Sequence, residues 1–224
     1  MTRSLRVILE IGKAPRRIVA GAMDWPGLDR WGKSEAAAVD VLRTYVDRYA
    51  PVARRAGLEA DLADEAPTAE VVERVPGSSS TDFWGVAHVP SQIEHEPLSS
   101  DELERRLALL AACWAYFNDT LERISGELRP GARSAGRTRE QIIRHVYASE
   151  PEQFTRKVEV RTPREAVLTP DGLIVHRLQT LDAIREYHRE GRQARTWPLP
   201  FLIRRIAHHV MDHAWELEDR DTRS

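Results

Sequence analysis

The chain has 224 residues, with 33 basic against 35 acidic side chains and a net charge of −2; the length admits one large or two small domains, and the balanced charge gives no electrostatic case for a nucleic-acid partner. No apolar run approaches the roughly 18 residues of a membrane span, and Met1-Thr2-Arg3-Ser4-Leu5-Arg6 lacks the apolar stretch of a secretory signal. The single cysteine, Cys113, excludes an internal disulfide and fits a reducing compartment, so a cytoplasmic protein without a membrane partner is expected.

The first third reads as a small α+β unit. Leu5 to Ile11 and Arg17 to Met23 are β-rich runs joined hairpin-fashion by Gly12-Lys13-Ala14-Pro15. Trp25-Pro26-Gly27-Leu28 and Trp31-Gly32 form a turn-rich segment. Ser34 caps a helix expected from Glu35 to about Ala50, interrupted by Pro51, with Val39, Leu42, Val46 and Tyr49 on one face. Glu70 to Val75 is expected to return as a third strand. Pro76-Gly77-Ser78-Ser79-Ser80 has linker composition. The division expected is a domain over 1–75, a linker or lid over 76–98 and a helical domain over 99–224.

From Ser99 onward the periodicity is helical. Ser99 and Glu102 make a capping box. Leu103, Leu107, Leu110, Trp114, Phe117, Leu121, Ile124 and Leu128 then step by four and three, predicting a long helix ended by Arg129-Pro130-Gly131. Thr138 and Gln141 open a second helix, with Ile142, His145 and Val146 inward and Pro151 shortening or kinking it. A third runs from about Leu173 to Glu190, with Ile174, Leu178, Leu181 and Ile184 as its stripe. A fourth follows Trp197-Pro198-Leu199-Pro200. Four such helices are most simply an all-α four-helix bundle.

The chemistry concentrates on that last helix. Leu202, Ile206, His209 and His213 step by four, three and four, so two imidazoles occupy an apolar seam and can hold one metal ion. A third ligand is expected from a facing helix. His145 fits best, and His176 and His188 only flank their stripe. His208 points about 100° from His209 and does not share its side of the helix. Glu216, three residues past His213, is a candidate partner for that imidazole or a general base; Asp212 is a weaker one. Three imidazoles without a thiolate suit zinc or nickel, with iron or manganese as alternatives. The competing reading is a set of core histidines hydrogen-bonded to carboxylates or carbonyls.

Arg137-Thr138-Arg139-Glu140-Gln141-Ile142-Ile143-Arg144-His145-Val146 and Ile206-Ala207-His208-His209-Val210-Met211-Asp212-His213 together resemble the DinB/YfiT-like superfamily of four-helix bundles over about Ser99 to Asp221. The resemblance implies His145, His209 and His213 as ligands of a divalent metal. It also implies S-transferase or isomerase chemistry with a low-molecular-weight thiol such as bacillithiol or mycothiol, acting on a small-molecule substrate. Met23-Asp24-Trp25-Pro26-Gly27-Leu28-Asp29-Arg30-Trp31-Gly32-Lys33-Ser34-Glu35-Ala36-Ala37-Ala38 resembles the turn-into-helix segment of HicB-like domains, which implies an accessory unit for dimerisation or for covering the cavity. The alternatives are a metal-dependent hydrolase, a non-enzymatic metal- or ligand-binding module and a scaffold; a homodimer is the assembly expected.

Other residues read more plainly. Cys113 is a packed core thiol. Trp25 and Trp31 pack the N-terminal unit. His88 and His95 are solvent-exposed loop residues, or part of a lid anchored by Trp84. Arg204-Arg205 is solvated or paired, and Glu216 to Asp221 is a solvated helix end. Only Lys13, Lys33 and Lys157 among the basic residues are lysines, which with abundant alanine suggests a high-GC bacterial genome.

Overall fold

The structure, a computed structural model, describes residues 3–131 and 136–223. It is mixed α/β, with a four-stranded sheet at the N-terminus followed by a helical C-terminal part. Strands β1 (Leu5–Ile11), β2 (Ile18–Ala22) and β3 (Asp29–Gly32) form an antiparallel meander, and β4 (Ala69–Pro76) returns parallel to β1, in the order β3-β2-β1-β4. The hairpin and the returning strand agree with the sequence reading. β3 was expected only as turn; it forms because Asp29 to Gly32 pair with Gly21 to Ile18.

Helices α1 (Glu35–Thr44), α2 (Val46–Arg55) and α3 (Glu59–Glu65) make the crossover from β3 to β4. The break falls at Tyr45, not at Pro51, which lies inside α2. Proline there forfeits one backbone bond, which the burial of Tyr49, Val52 and Ala53 offsets.

The stretch 76–98 is fastened rather than loose. Ser78 and Thr81 form a capping box for α4 (Ser79–Trp84). Asp82 accepts hydrogen bonds from the backbone N–H groups of Ala14, Arg16 and Arg17. The Glu10 carboxylate accepts from the Thr81 hydroxyl and from the N–H groups of His88 and Val89. Trp84, the expected anchor of a lid, is 59% exposed.

Helix α5 (Ser100–Arg123) ends at Ile124, short of the predicted Arg129. Leu128 instead bridges to Asp221. Helix α6 (Arg139–Ser149) starts on the predicted Thr138/Gln141 capping box and passes at Pro151 into a π-helical turn, Glu150–Phe154, then a 3-10 turn, Thr155–Val158. After the short α7 (Arg164–Val167), α8 spans Pro170–Arg189. The predicted stripe of α8 holds only in its second half: Ile184 is buried and Leu181 packs against the core, but Ile174 and Leu178 are 58% and 57% exposed, while Leu173, His176, Arg177, Thr180 and Tyr187 are buried. The polar face goes inward with partners for most of its buried groups, the Nε2 of His176 excepted. Arg177 pairs with Glu150 at 2.7 Å, and His176 Nδ1 meets Thr162 Oγ1 at 2.7 Å.

Helix α9 (Leu199–Arg220) buries 16 of its 22 residues, too many for a helix with one covered side. It packs along α5, and the N-terminal unit covers part of the rest. Arg30 of β3 lies between the rings of Tyr45 and Trp215, 3.8 and 4.0 Å from their centroids, and donates to Asp212. One hydrophobic cluster runs from Leu5 through Phe117 to Leu217, so sheet and helices share a core across the expected 76–98 boundary. The end of α9 is tied down rather than solvated: Glu218 accepts from Arg48, Tyr116 and Arg123, and Asp221 accepts from Ser125. No helix is long and apolar enough to cross a membrane, among the described residues.

Candidate metal centre

Helices α6 and α9 bring His145, His209 and His213 together, with one ligand atom from each lying within 4.8 Å of the others. Their ring centroids form a near-equilateral triangle of 5.0, 5.0 and 4.9 Å. The local reason is helix spacing: residues four apart on α9 share one face, and the Thr138 cap sets α6 in register to present His145 against them. The three imidazoles are only partly buried, so the cluster is reachable from solvent.

Two features suit these nitrogens to a cation. Glu216 Oε2 accepts from His213 Nδ1 at 2.8 Å, which fixes the tautomer and leaves the Nε2 lone pair free to ligate. Two of the imidazoles, His145 and His209, are also shifted towards the neutral form that a metal requires. Burial, helped by the positive charge of Arg137, pushes His145 down to about 4. Burial likewise pulls His209 well below its ordinary value. The Nε2 atoms of His145 and His209 lie 3.2 Å apart, so in the absence of an ion one must donate to the other. His209 departs from the usual pattern, because its Nδ1 is sealed without a partner. Its ring is held by packing against Phe154, 5.5 Å between centroids.

Glu216 is itself held. Its Oε1 accepts from Arg220 Nη1 at 2.8 Å, and Arg220 also donates to the carbonyls of Arg129 and Arg137. With both oxygens engaged, Glu216 orients His213 and is poorly placed to take a substrate proton. The sequence reading missed Arg220, although its spacing carried a signal: His209, His213, Glu216 and Arg220 step by four, three and four. Asp212 faces Arg30 instead. His188 bonds the Leu98 carbonyl, and neither it nor His176 or His208 joins the cluster. Glu216→Ala is expected to weaken metal binding about 10- to 100-fold. Glu216→Gln, which keeps an acceptor for Nδ1–H, should retain most of it; metal titration of both variants checks this.

Cys113 is buried, its thiol pushed up by burial and pointed at the Pro26 carbonyl. Trp25 is buried with its indole N–H on Glu65, and Trp31 stacks under Arg17. His95 is exposed, but His88 is not the exposed loop residue expected: its Nε2 is sealed and burial lowers it to about 4. His176 is lowered to about 4 for the same reason. Both fall below the unfolded value of about 6.5, so their contribution to stability is complete above that pH and is lost as pH falls towards 4. In chelator, the urea midpoint should decline from pH 6.5 downward, and His176→Asn should decline less steeply.

Comparison with known protein families, with curated proteins and with solved structures gives no match to this chain.

Proposed function

We propose that this chain is a divalent-metal-dependent enzyme that transfers a low-molecular-weight thiol to an electrophilic small molecule. On this reading α5, α6, α8 and α9 are the four helices of a bundle of the DinB/YfiT-like type, and the N-terminal unit is an accessory to it. The observation that carries the reading is the convergence of three imidazoles from two helices, one of them oriented by a carboxylate that is itself pinned by Arg220.

His145, His209 and His213 would hold the ion, zinc or nickel best matching an all-nitrogen set. Three protein ligands leave a position open, the arrangement of catalytic rather than structural sites. When bound, such an ion supplies Lewis acidity that lowers the pKa of a thiol presented to it. The sulfur must come from a cosubstrate such as mycothiol, because the one cysteine of the chain is buried and its thiol is held protonated. In the transfer a C–S bond forms, the leaving group departs with its electron pair and the thiol proton is released. The chain contributes orientation: Glu216 aims His213 and Phe154 braces His209.

The test is elemental analysis of untagged protein, wild type and His145→Ala, His209→Ala and His213→Ala, followed by turnover with a panel of thiols and electrophiles. Near-stoichiometric metal in the wild type, lost in all three variants, with metal-dependent thiol transfer, is the expected result. Metal without turnover across the panel would leave a binding module. No metal after reconstitution would sink the reading.

A further inference from the structure

Two adjacent arginines on α9 have opposite surroundings. Arg204 is buried and satisfied, 2.9 Å from Asp29 and 2.8 Å from Glu94. Arg205 is also buried, at 8% exposure, yet its Nε is sealed from solvent without an acceptor. A guanidinium in that condition is strongly unfavourable unless something answers it. The expectation that both arginines are solvated or paired holds for Arg204 and is not met at the Nε of Arg205.

Its place on the helix relates Arg205 to the histidine cluster. Arg205 lies one helical turn before His209, at the head of the stripe that continues through His213 and Glu216. One turn earlier still, Phe201 belongs to a small buried cluster with Val19 and Ala87. The next residue, His88, is held there by its N–H on Glu10. The His88 Nε2 is a second sealed nitrogen without a partner. Burial, and after it the positive charge of Arg205, depresses His88. Neighbouring acids are committed elsewhere: Glu10 to Thr81, His88 and Val89, and Asp212 to Arg30. Asp29 gives Oδ1 to Arg204, while its Oδ2 is sealed without a donor. Closure of Arg205 onto that oxygen is the competing arrangement.

We infer that Arg205, assisted by His88, seats the carboxylate group of the substrate that reacts at the three-histidine centre; the substrate role rests on the function proposed above. A carboxylate is favoured because its two coplanar oxygens match the guanidinium fork. The seat lies on the same helical face as the ligands, so a small acid held there presents its remaining atoms towards them.

The test begins without metal. Acetate is titrated into chelator-treated wild-type protein at constant ionic strength set with chloride, with acetamide as the uncharged control. The Arg side-chain Nε–Hε signals and the His88 ring signals are followed by NMR. A saturable shift of the Arg205 and His88 signals with acetate, absent with acetamide, is expected, and Arg205→Met should weaken acetate at least tenfold. No saturable shift in the wild type would overturn the inference and leave Arg205 paired with Asp29; this arm stands even if the variant does not fold. Inorganic phosphate binding tenfold tighter than acetate would overturn the carboxylate assignment. Metal analysis of the same protein before chelation and after reconstitution separates the two readings. Stoichiometric metal without acetate binding rejects the seat alone, whereas acetate binding in protein that takes no metal keeps the seat and rejects the metal centre.

Discussion

Arg204→Ala is expected to destabilise the protein by about 3–5 kcal/mol, the effect of removing one partner from a buried ion pair. The loss comes less from the missing attraction than from what is left behind. Asp29 and Glu94 are both buried, and each gives an oxygen to Arg204. Without the guanidinium, two carboxylates face each other in the interior. Glu94 retains the Ser91 N–H and hydroxyl, but Asp29 retains far less. The cluster also joins β3, the 3-10 turn at Ile93–His95 and α9, so its loss should loosen the sheet from the helices. Urea denaturation of wild type and variant reads this directly. Replacing Arg204 together with both acids by apolar residues should recover much of the loss, because no buried charge is then stranded. A loss below about 1 kcal/mol for Arg204→Ala would mean the cluster is solvated, as exposed pairs are.

Removal of metal should produce the second large effect. An ion present at about a thousand times its Kd adds about 4 kcal/mol to the folded state. For a chain of this size each kcal/mol moves Tm by roughly 2–4 °C. Exhaustive chelation is therefore expected to lower Tm by about 10 °C, and zinc or nickel should restore it. His209→Ala should melt near the chelated wild type and ignore added metal. The reason for choosing His209 is its place: it belongs to α9, faces both other histidines and packs on Phe154. An unchanged Tm after chelation would favour the reading of the three histidines as core residues.

Much of the site was legible before any coordinates. His209 and His213 share a face because of the helical repeat alone, and His145 follows from the inner stripe of α6, begun by a capping box that the structure contains. The β1–β2 hairpin, the strand character of β4 and a break in α6 at Pro151 were likewise local matters. Residue spacing reports which side chains share a face, and these elements depend on little else.

Which face is covered, and by what, was settled only by the tertiary structure. α8 carries apolar residues on more than one side, and Glu150 and Thr162 decided that the side with Arg177 and His176 goes inward. Arg204 and Arg205 are equivalent in sequence, yet a 100° turn gives one two carboxylates and leaves the other without a bond at Nε. Glu10 turned a linker-like stretch into a fastened one. Each of these outcomes depends on a partner far away in the chain, where hydrogen bonds and ion pairs exclude water; periodicity within one helix carries no record of that partner.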